Sequence, residues 1–245
     1  PHGLDEDADG NIWFTAVNEG YVGKLDPNSG EVTEYYVPEG TRGPHTPIFD
    51  DNGTFWFTMQ SGHVGRLVPS TGEMTVAKSP TDGTYPYGIM VNSKGEPWYV
   101  DFRGPRIGQV DPETGAITEH ELPNPDSRPR RITLTPDDVV WYTDYPRGRL
   151  GRYDPETGHV KEWLSPGGEK SRPYGIASVG NVIWYTEAYS RPNILVRFDT
   201  ETEEFQSWPI PSGGGVVRHM VSTPSGDLVM ASSAVNHISY VDTGT

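Results

Sequence analysis

The sequence predicts an all-β protein, a β-propeller made of four-stranded antiparallel blades. Three observations predict it. Five tryptophans, Trp13, Trp56, Trp98, Trp141 and Trp184, are spaced 43, 42, 43 and 43 residues apart. A short phrase around a proline (P-H-G-L, P-H-T-P, P-Y-G-I, P-R-R-I, P-Y-G-I) returns with nearly the same step. A D-P-x-[ST]-G turn recurs at residues 26–30, 111–115 and 154–158, with V-P-S-T-G at 68–72. A period of this length holds four short strands and leaves no room for crossover helices. No long helical periodicity appears.

The elements follow in order within each repeat. The proline phrase opens a short strand, as in Pro86-Tyr87-Gly88-Ile89-Met90. Asp9-Gly10 or Asn52-Gly53 then supplies the positive φ angles of a tight hairpin. An aromatic strand follows, such as Ile12-Trp13-Phe14-Thr15 or Val140-Trp141-Tyr142-Thr143, and its W-[FY]-T segment is expected in the core. A third strand reads I-G-Q-V or L-G-R-Y. The D-P-x-[ST]-G turn presets φ with proline and places glycine in the left-handed position. An alternating strand such as residues 31–36 ends the unit.

The repeats run at about 1–43, 44–85, 86–128, 129–172, 173–217 and 218–245, within one domain over 1–245. Five are full and the sixth has three strands. In that last repeat Arg218 is taken to stand for the proline, and Leu228-Val229-Met230 for the tryptophan segment. The expected parent is a larger ring of which this chain is a part; the alternative is a six-bladed ring.

The chain has 245 residues, enough for a sizeable core. Hydrophobic residues are only 33%, but an 11% aromatic share supplies core area from few positions. The net charge of −15 argues against nucleic acid as a partner and suits a soluble surface or a basic protein partner. There is no cysteine, which fits a periplasmic or a cytoplasmic protein equally. No apolar run is long enough to span a membrane.

Within the recurring phrase, proline and glycine are kept and the residue between them varies. It reads His2, His45, Tyr87, Arg130, Tyr174 and, in the last repeat, His219. All are hydrogen-bonding side chains, expected to line one mouth of a central channel and to carry function without harm to the fold. His2 and His45 are either catalytic or ligand-binding groups, or the lining of a wet channel. Tyr87 and Tyr174 either stack on a ring-shaped ligand or pack. A second varying position, three residues after each tryptophan, reads Ala16, Met59, Asp101, Asp144 and Glu187. Its acids are expected chiefly to pair with Arg103, Arg130, Arg131 or Arg147. His63, His120, His159 and His237 fall at other phases and are expected on the surface. The Gly213-Gly214-Gly215 run is no phosphate loop, since neither helix nor P-loop lysine follows. No G-x-S-x-G, H-E-x-x-H or cysteine nucleophile is present.

Taken together, P-x-G-I, W-[FY]-T-[ED], I-G-R-x-D-P-x-T-G and an E-Y or E-W strand closing on proline resemble the virginiamycin B lyase (streptogramin B lyase) family over the whole chain. The resemblance implies a seven-bladed enzyme that opens a cyclic depsipeptide by elimination at an ester, using Mg²⁺ at one mouth of the channel. The family uses a histidine in an R-P-H phrase and both polar residues of an E-P-H phrase. By phase these histidines fall on His2 and His45, while Gly43 stands where the glutamate is expected. The resemblance therefore implies His45 as base or proton carrier and His2 as the group that holds metal or orients substrate. Asp144 and Glu187 are further metal candidates. Tyr87, Arg130, Arg131, Tyr174 and His219 are expected to contact substrate, with Arg130 or Arg131 on a carboxylate. A set of His2, His45 and His219 would suit Zn²⁺. The alternatives are a non-catalytic module docking a protein partner on a propeller face, without a metal, and a lactonase-type hydrolase holding Ca²⁺ through Asp101, Asp144 and Glu187. Family resemblance points to a periplasmic or secreted location.

Overall fold

The computed structural model describes residues 1–244. Its strands form six antiparallel sheets, five of four strands and one of three, each in simple up-and-down order. The first blade holds β1 (Leu4–Glu6), β2 (Ile12–Ala16), β3 (Tyr21–Leu25) and β4 (Val32–Tyr36). The second holds β5 (Pro44–Phe49), β6 (Phe55–Met59), β7 (His63–Val68) and β8 (Glu73–Lys78). The third holds β9 (Pro86–Val91), β10 (Pro97–Asp101), β11 (Arg106–Val110) and β12 (Ile117–Glu121). The fourth holds β13 (Pro129–Leu134), β14 (Val140–Asp144), β15 (Arg149–Tyr153) and β16 (Val160–Leu164). The fifth holds β17 (Pro173–Val179), β18 (Val182–Glu187), β19 (Ile194–Asp199) and β20 (Phe205–Pro209). The sixth holds β21 (Val217–Ser222), β22 (Leu228–Ser232) and β23 (His237–Val241). The chain divides into two compact units, Pro1–Glu121 and Leu122–Thr245, so each unit carries three blades. No helix among the described residues is long and apolar enough to cross a membrane.

The core lies between blades. In the first unit, Trp13 and Val22 of the first blade pack on Phe55, Phe57 and Leu67 of the second. Trp56 and Val64 of the second pack on Ile89, Tyr99 and Val110 of the third. In the second unit, Trp141 and Leu150 meet Ile176, Ile183 and Phe198, and Trp184 and Leu195 meet Met220, Leu228 and Met230. The five repeat tryptophans are buried, as expected. Burying an aromatic ring of this size on each blade contributes several kcal/mol, at roughly 25 cal/mol per Å².

Three sequence signatures have local physical causes. The third-strand glycines face aromatic rings of the second strand: Phe14 lies opposite Gly23, Phe57 opposite Gly65, Tyr99 opposite Gly108 and Tyr142 opposite Gly151. A Cβ on Gly65 would sit 2.1 Å from the Phe57 ring, and one on Gly151 2.0 Å from Tyr142. Two of the indole N–H groups donate to a nearby aspartate, Trp13 to Asp7 at 2.7 Å and Trp56 to Asp50 at 2.9 Å. Outer-strand residues cover the indole face: Tyr35 on Trp13, His120 on Trp98, Trp163 on Trp141 and Trp208 on Trp184. His120 is thus half-buried rather than on the surface, and burial pushes its pKa down.

Candidate functional site

The proline phrase sits on a β-bulge. Pairing of inner and second strands shifts register between Pro44 and Pro47, Pro86 and Ile89, Pro129 and Arg131, Pro173 and Ile176, and Val217 and Met220. A bulge re-aims the side chains it carries, and here it carries the varying residue and the one after it. The threonine of W-[FY]-T holds this bulge from two sides. Its Oγ1 accepts the N–H of the residue after the varying one in its own blade: Gly3 N at 3.1 Å for Thr15, Thr46 N at 3.1 Å for Thr58, Arg131 N at 3.3 Å for Thr143. The same hydroxyl donates to the carbonyl of the varying residue in the next blade: His45 O at 2.6 Å, Tyr87 O at 2.7 Å and Tyr174 O at 3.0 Å. The sequence placed these threonines in the core, where they are, but not in this role.

The bulge corrects one expectation. Ile176 pairs with Tyr185 and Met220 pairs with Met230 at matching positions of their blades, so Val217 takes the place of Pro173. The varying residue of the sixth blade is therefore Arg218, and His219 aligns with Gly175. The reading that set Arg218 in the proline's place matched a histidine to the varying position, at a step of 45 residues from Tyr174 where the strand pairing gives 44. The residue after the varying one, read by structure, is Gly3, Thr46, Gly88, Arg131, Gly175 and His219. It is a second variable position.

In the first unit the varying residues form a chain of tilted ring contacts. His2 and His45 have ring centroids 3.8 Å apart, and His45 and Tyr87 4.1 Å. Tyr87 continues to Phe102 at 5.3 Å. Thr46 Oγ1 lies 2.9 Å from His45 Nδ1 and sets the imidazole plane. His45 is 2% exposed, whereas His2 is only half-buried. Gly43, where the resemblance calls for glutamate, has φ 67°, and a Cβ there would lie 3.0 Å from Gln60 Cβ. The left-handed backbone explains why glycine stands there.

In the second unit the same positions gather guanidinium groups and phenols. Arg130 Cζ lies 4.1 Å from the centroid of Tyr174 and 4.3 Å from that of Tyr145. Arg131 Nη2 is 3.0 Å from His219 Nε2. An arginine is always protonated and can only donate, so His219 accepts through Nε2 and is the neutral tautomer with its proton on Nδ1. This contact joins the fourth and sixth blades across Gly175 of the fifth. Sequence reasoning missed Tyr145 and Arg172, the latter 5.3 Å from the Tyr145 centroid. The signal was present in R-P-Y, since Arg172 precedes the proline as Gly43 does.

The acids three residues after tryptophan are buried and bind the segment that leads into their own blade. Asp101 accepts from Tyr85 N at 2.8 Å and Arg103 N at 2.9 Å, and its other oxygen is 3.3 Å from Arg106 Nη1. Its guanidinium partner is thus Arg106, while Arg103 lies over Tyr85. Asp144 accepts from Arg128 N at 3.2 Å and Arg147 Nη1 at 2.9 Å, and burial raises its pKa. Glu187 accepts from Ser165 Oγ and from Gly167 N at 2.8 Å. Each acid ties the loop that approaches the inner strand, rather than fixing one blade against another. Among the described residues no three His, Asp or Glu side chains are gathered to hold a metal ion. The residues named here do not supply the oxygen cage that Mg²⁺ takes. A separate apolar groove of about 1,020 Å³ runs along β23, lined by Trp184, Trp208, Met230, Ile238 and Tyr240.

Consecutive antiparallel blades, inter-blade cores and paired variable positions on each inner strand define a β-propeller of the kind that presents polar side chains from its innermost strands. The virginiamycin B lyase family model matches residues 1–178 and 113–245, and the chain belongs to that family. Virginiamycin B lyase from Staphylococcus aureus has the same fold, with a TM-score of 0.90 at 26% identity over 100% of this chain and 81% of that one. A catalytically inactive histidine-to-alanine variant of that enzyme, with quinupristin, gives 0.86 at 25% identity over 98% and 83%. Kuenenia stuttgartiensis hydrazine synthase gives 0.85 at 15% identity over 99% and 76%, a likeness of fold alone. No curated protein matches the sequence.

Proposed function

We propose that the protein opens a small cyclic or ester-containing molecule by elimination, with the His2–His45 pair supplying the base. The observation that carries this reading is the pair itself: two imidazoles 3.8 Å apart, one half-buried and one buried, with Thr46 fixing the inner ring. Family membership supports the reaction type. Imidazole suits proton abstraction because its ordinary pKa lies near neutral pH. His2 is the member presented to a ligand, and His45 orients it or takes the proton onward. The base removes the proton on the carbon next to a carbonyl. That electron pair forms a C=C bond as the neighbouring C–O bond breaks, and the ester oxygen leaves as a carboxylate. The product has the composition of the substrate, with one ring opened.

The test is incubation with quinupristin and a panel of other cyclic depsipeptides and lactones, followed by liquid chromatography and mass spectrometry. A ring-opened product of unchanged mass, lost in His45→Ala, is the expected result. A product that has gained one water would replace elimination with the hydrolase reading. No conversion of any member of the panel would remove the enzymatic reading.

A further inference from the structure

We infer that the second unit presents a basic docking surface for an acidic protein partner, at the end of its sheets where the inner strands begin. The observation is a polarity of charge between the two ends of the unit. Pro129 pairs with Asp144, and Arg149 pairs with both Asp144 and Leu164, so one end of a blade gathers the approach to its inner strand and the turn after its second. The loops at that end are residues 122–128, 145–148, 165–172, 188–193, 210–216 and 233–236, and they hold five Lys or Arg against two acids. The loops at the other end, 135–139, 154–159, 180–181, 200–204 and 223–227, hold eight acids and no Lys or Arg. Acids at that other end serve the turns: Asp154 accepts from the backbone N–H groups of Glu156 and Thr157. Lysine and arginine are not residues that a turn requires.

Ion pairing divides the two ends as well. Arg152, Lys161 and Arg197 lie toward the acidic end, and they meet Asp154, Glu203 and Asp199. At the basic end Arg147 is held by Asp144 and Glu162. Arg128, Arg149, Lys170, Arg172 and Arg191 make no ion pair among the described residues. Arg128 and Arg191 donate to backbone carbonyls, and Arg172 lies against the Tyr145 ring. Lys170 and Arg191 are exposed and the other three half-buried. Positive charge left uncompensated at one end is opposite in sign to the chain's net charge of −15, so the partner it attracts is acidic.

The make-up of the patch names the partner's class. Four of these five residues are arginines, whose planar fork takes a carboxylate with two hydrogen bonds. Tyr189, two residues before Arg191, is 66% exposed. Arginine and tyrosine are residues that protein interfaces concentrate. Arg172 adds a backbone sign. It precedes its blade's proline with φ 58°, a left-handed conformation that Gly43 takes before Pro44 with φ 67°. A residue with a side chain holds it only at a cost. The surface does not use the histidine pair, and it stands whether or not elimination occurs.

The test is fluorescence anisotropy of a labelled oligoglutamate peptide titrated with the full chain at low salt. A neutral glycine-serine peptide, a single-stranded oligonucleotide and phosphatidylglycerol vesicles are the comparison probes. Saturable binding of oligoglutamate is the expected result, lost progressively as salt rises. It should weaken about tenfold in a variant combining Arg128→Gln, Lys170→Gln and Arg191→Gln. Lys161→Gln, toward the acidic end, should leave it unchanged. Melting curves report whether the combined variant is folded, and Lys170→Gln and Arg191→Gln singly, at exposed positions, give the same reading in smaller steps. Oligoglutamate that binds no better than the neutral peptide would overturn the surface, as would folded variants that bind like the unaltered protein. An oligonucleotide or vesicles held more tightly than oligoglutamate would overturn the assignment to an acidic protein.

Discussion

The first and second units use one frame to present different side chains. In both, a bulged inner strand presents a varying residue and its successor, clamped by a threonine hydroxyl of the preceding blade. In the first unit the presented groups are His2, His45 and Tyr87, set ring against ring at tilted angles. In the second they are Arg130, Arg131, Tyr174 and His219, joined by cation–π contacts and one hydrogen bond. The difference shows that the frame is indifferent to what it displays. Imidazoles, phenols and guanidinium groups fit the same backbone because the proline, the bulge and the threonine carry the structural work.

The largest expected effect separates the two units. His45→Ala should lower turnover about a hundredfold or more, the usual scale for a positioned acid or base, with melting temperature nearly unchanged. A His45→Ala variant that keeps full turnover would break the assignment of this role to the first unit. Next comes the frame itself. Gly65→Ala in the first unit and Gly151→Ala in the second each push a methyl into an aromatic ring. Each should destabilise by about 1–3 kcal/mol in urea unfolding. Equal costs would support a common frame, and a cost confined to one unit would break it.

Thr58→Val and Thr143→Val remove a buried hydroxyl that serves two backbone groups. Each should cost about 1–3 kcal/mol. Thr143 holds the Arg131 N–H and the Tyr174 carbonyl, as Thr58 holds the Thr46 N–H and the Tyr87 carbonyl. The smallest effect is a pH slope. Burial depresses the pKa of His120, so below its ordinary value the unfolded chain binds more protons than the folded one. Stability should therefore fall as pH drops from that value toward the folded one. His120→Tyr, which copies Tyr35 of the first blade, should remove this part of the slope in thermal melts across mildly acidic pH.

Much of this architecture was legible in the sequence. The tryptophan period, the D-G and N-G turns and the D-P-x-[ST]-G turns give the strands and their order, since each rests on local chemistry. The site was legible in part. The varying position was visible because proline and glycine frame it, and His2, His45, Tyr87, Arg130 and Tyr174 all occupy it. The bulge was not visible, because a register shift belongs to the pairing of two strands. For that reason His219 was set one place out of line, and Arg131 was not recognised as its counterpart. The acids were legible in part: Asp144 pairs with Arg147 as expected, but what Asp101, Asp144 and Glu187 share is the loop in front of the inner strand. Tyr145 and Arg172 lie outside the repeated pair of positions and join the cluster only through tertiary packing.

The bulge has a further consequence for how such a protein can change. A strand without it would offer one adjustable side chain per blade at this level. With it, each blade offers two consecutive ones, and Arg131 meeting His219 over Gly175 shows that the second can couple blades that are not neighbours. The recognition vocabulary of the fold is then multiplicative. A glycine in the second place acts as a blank that lets the residues on either side meet, and a single substitution there would rewrite a contact between two other blades.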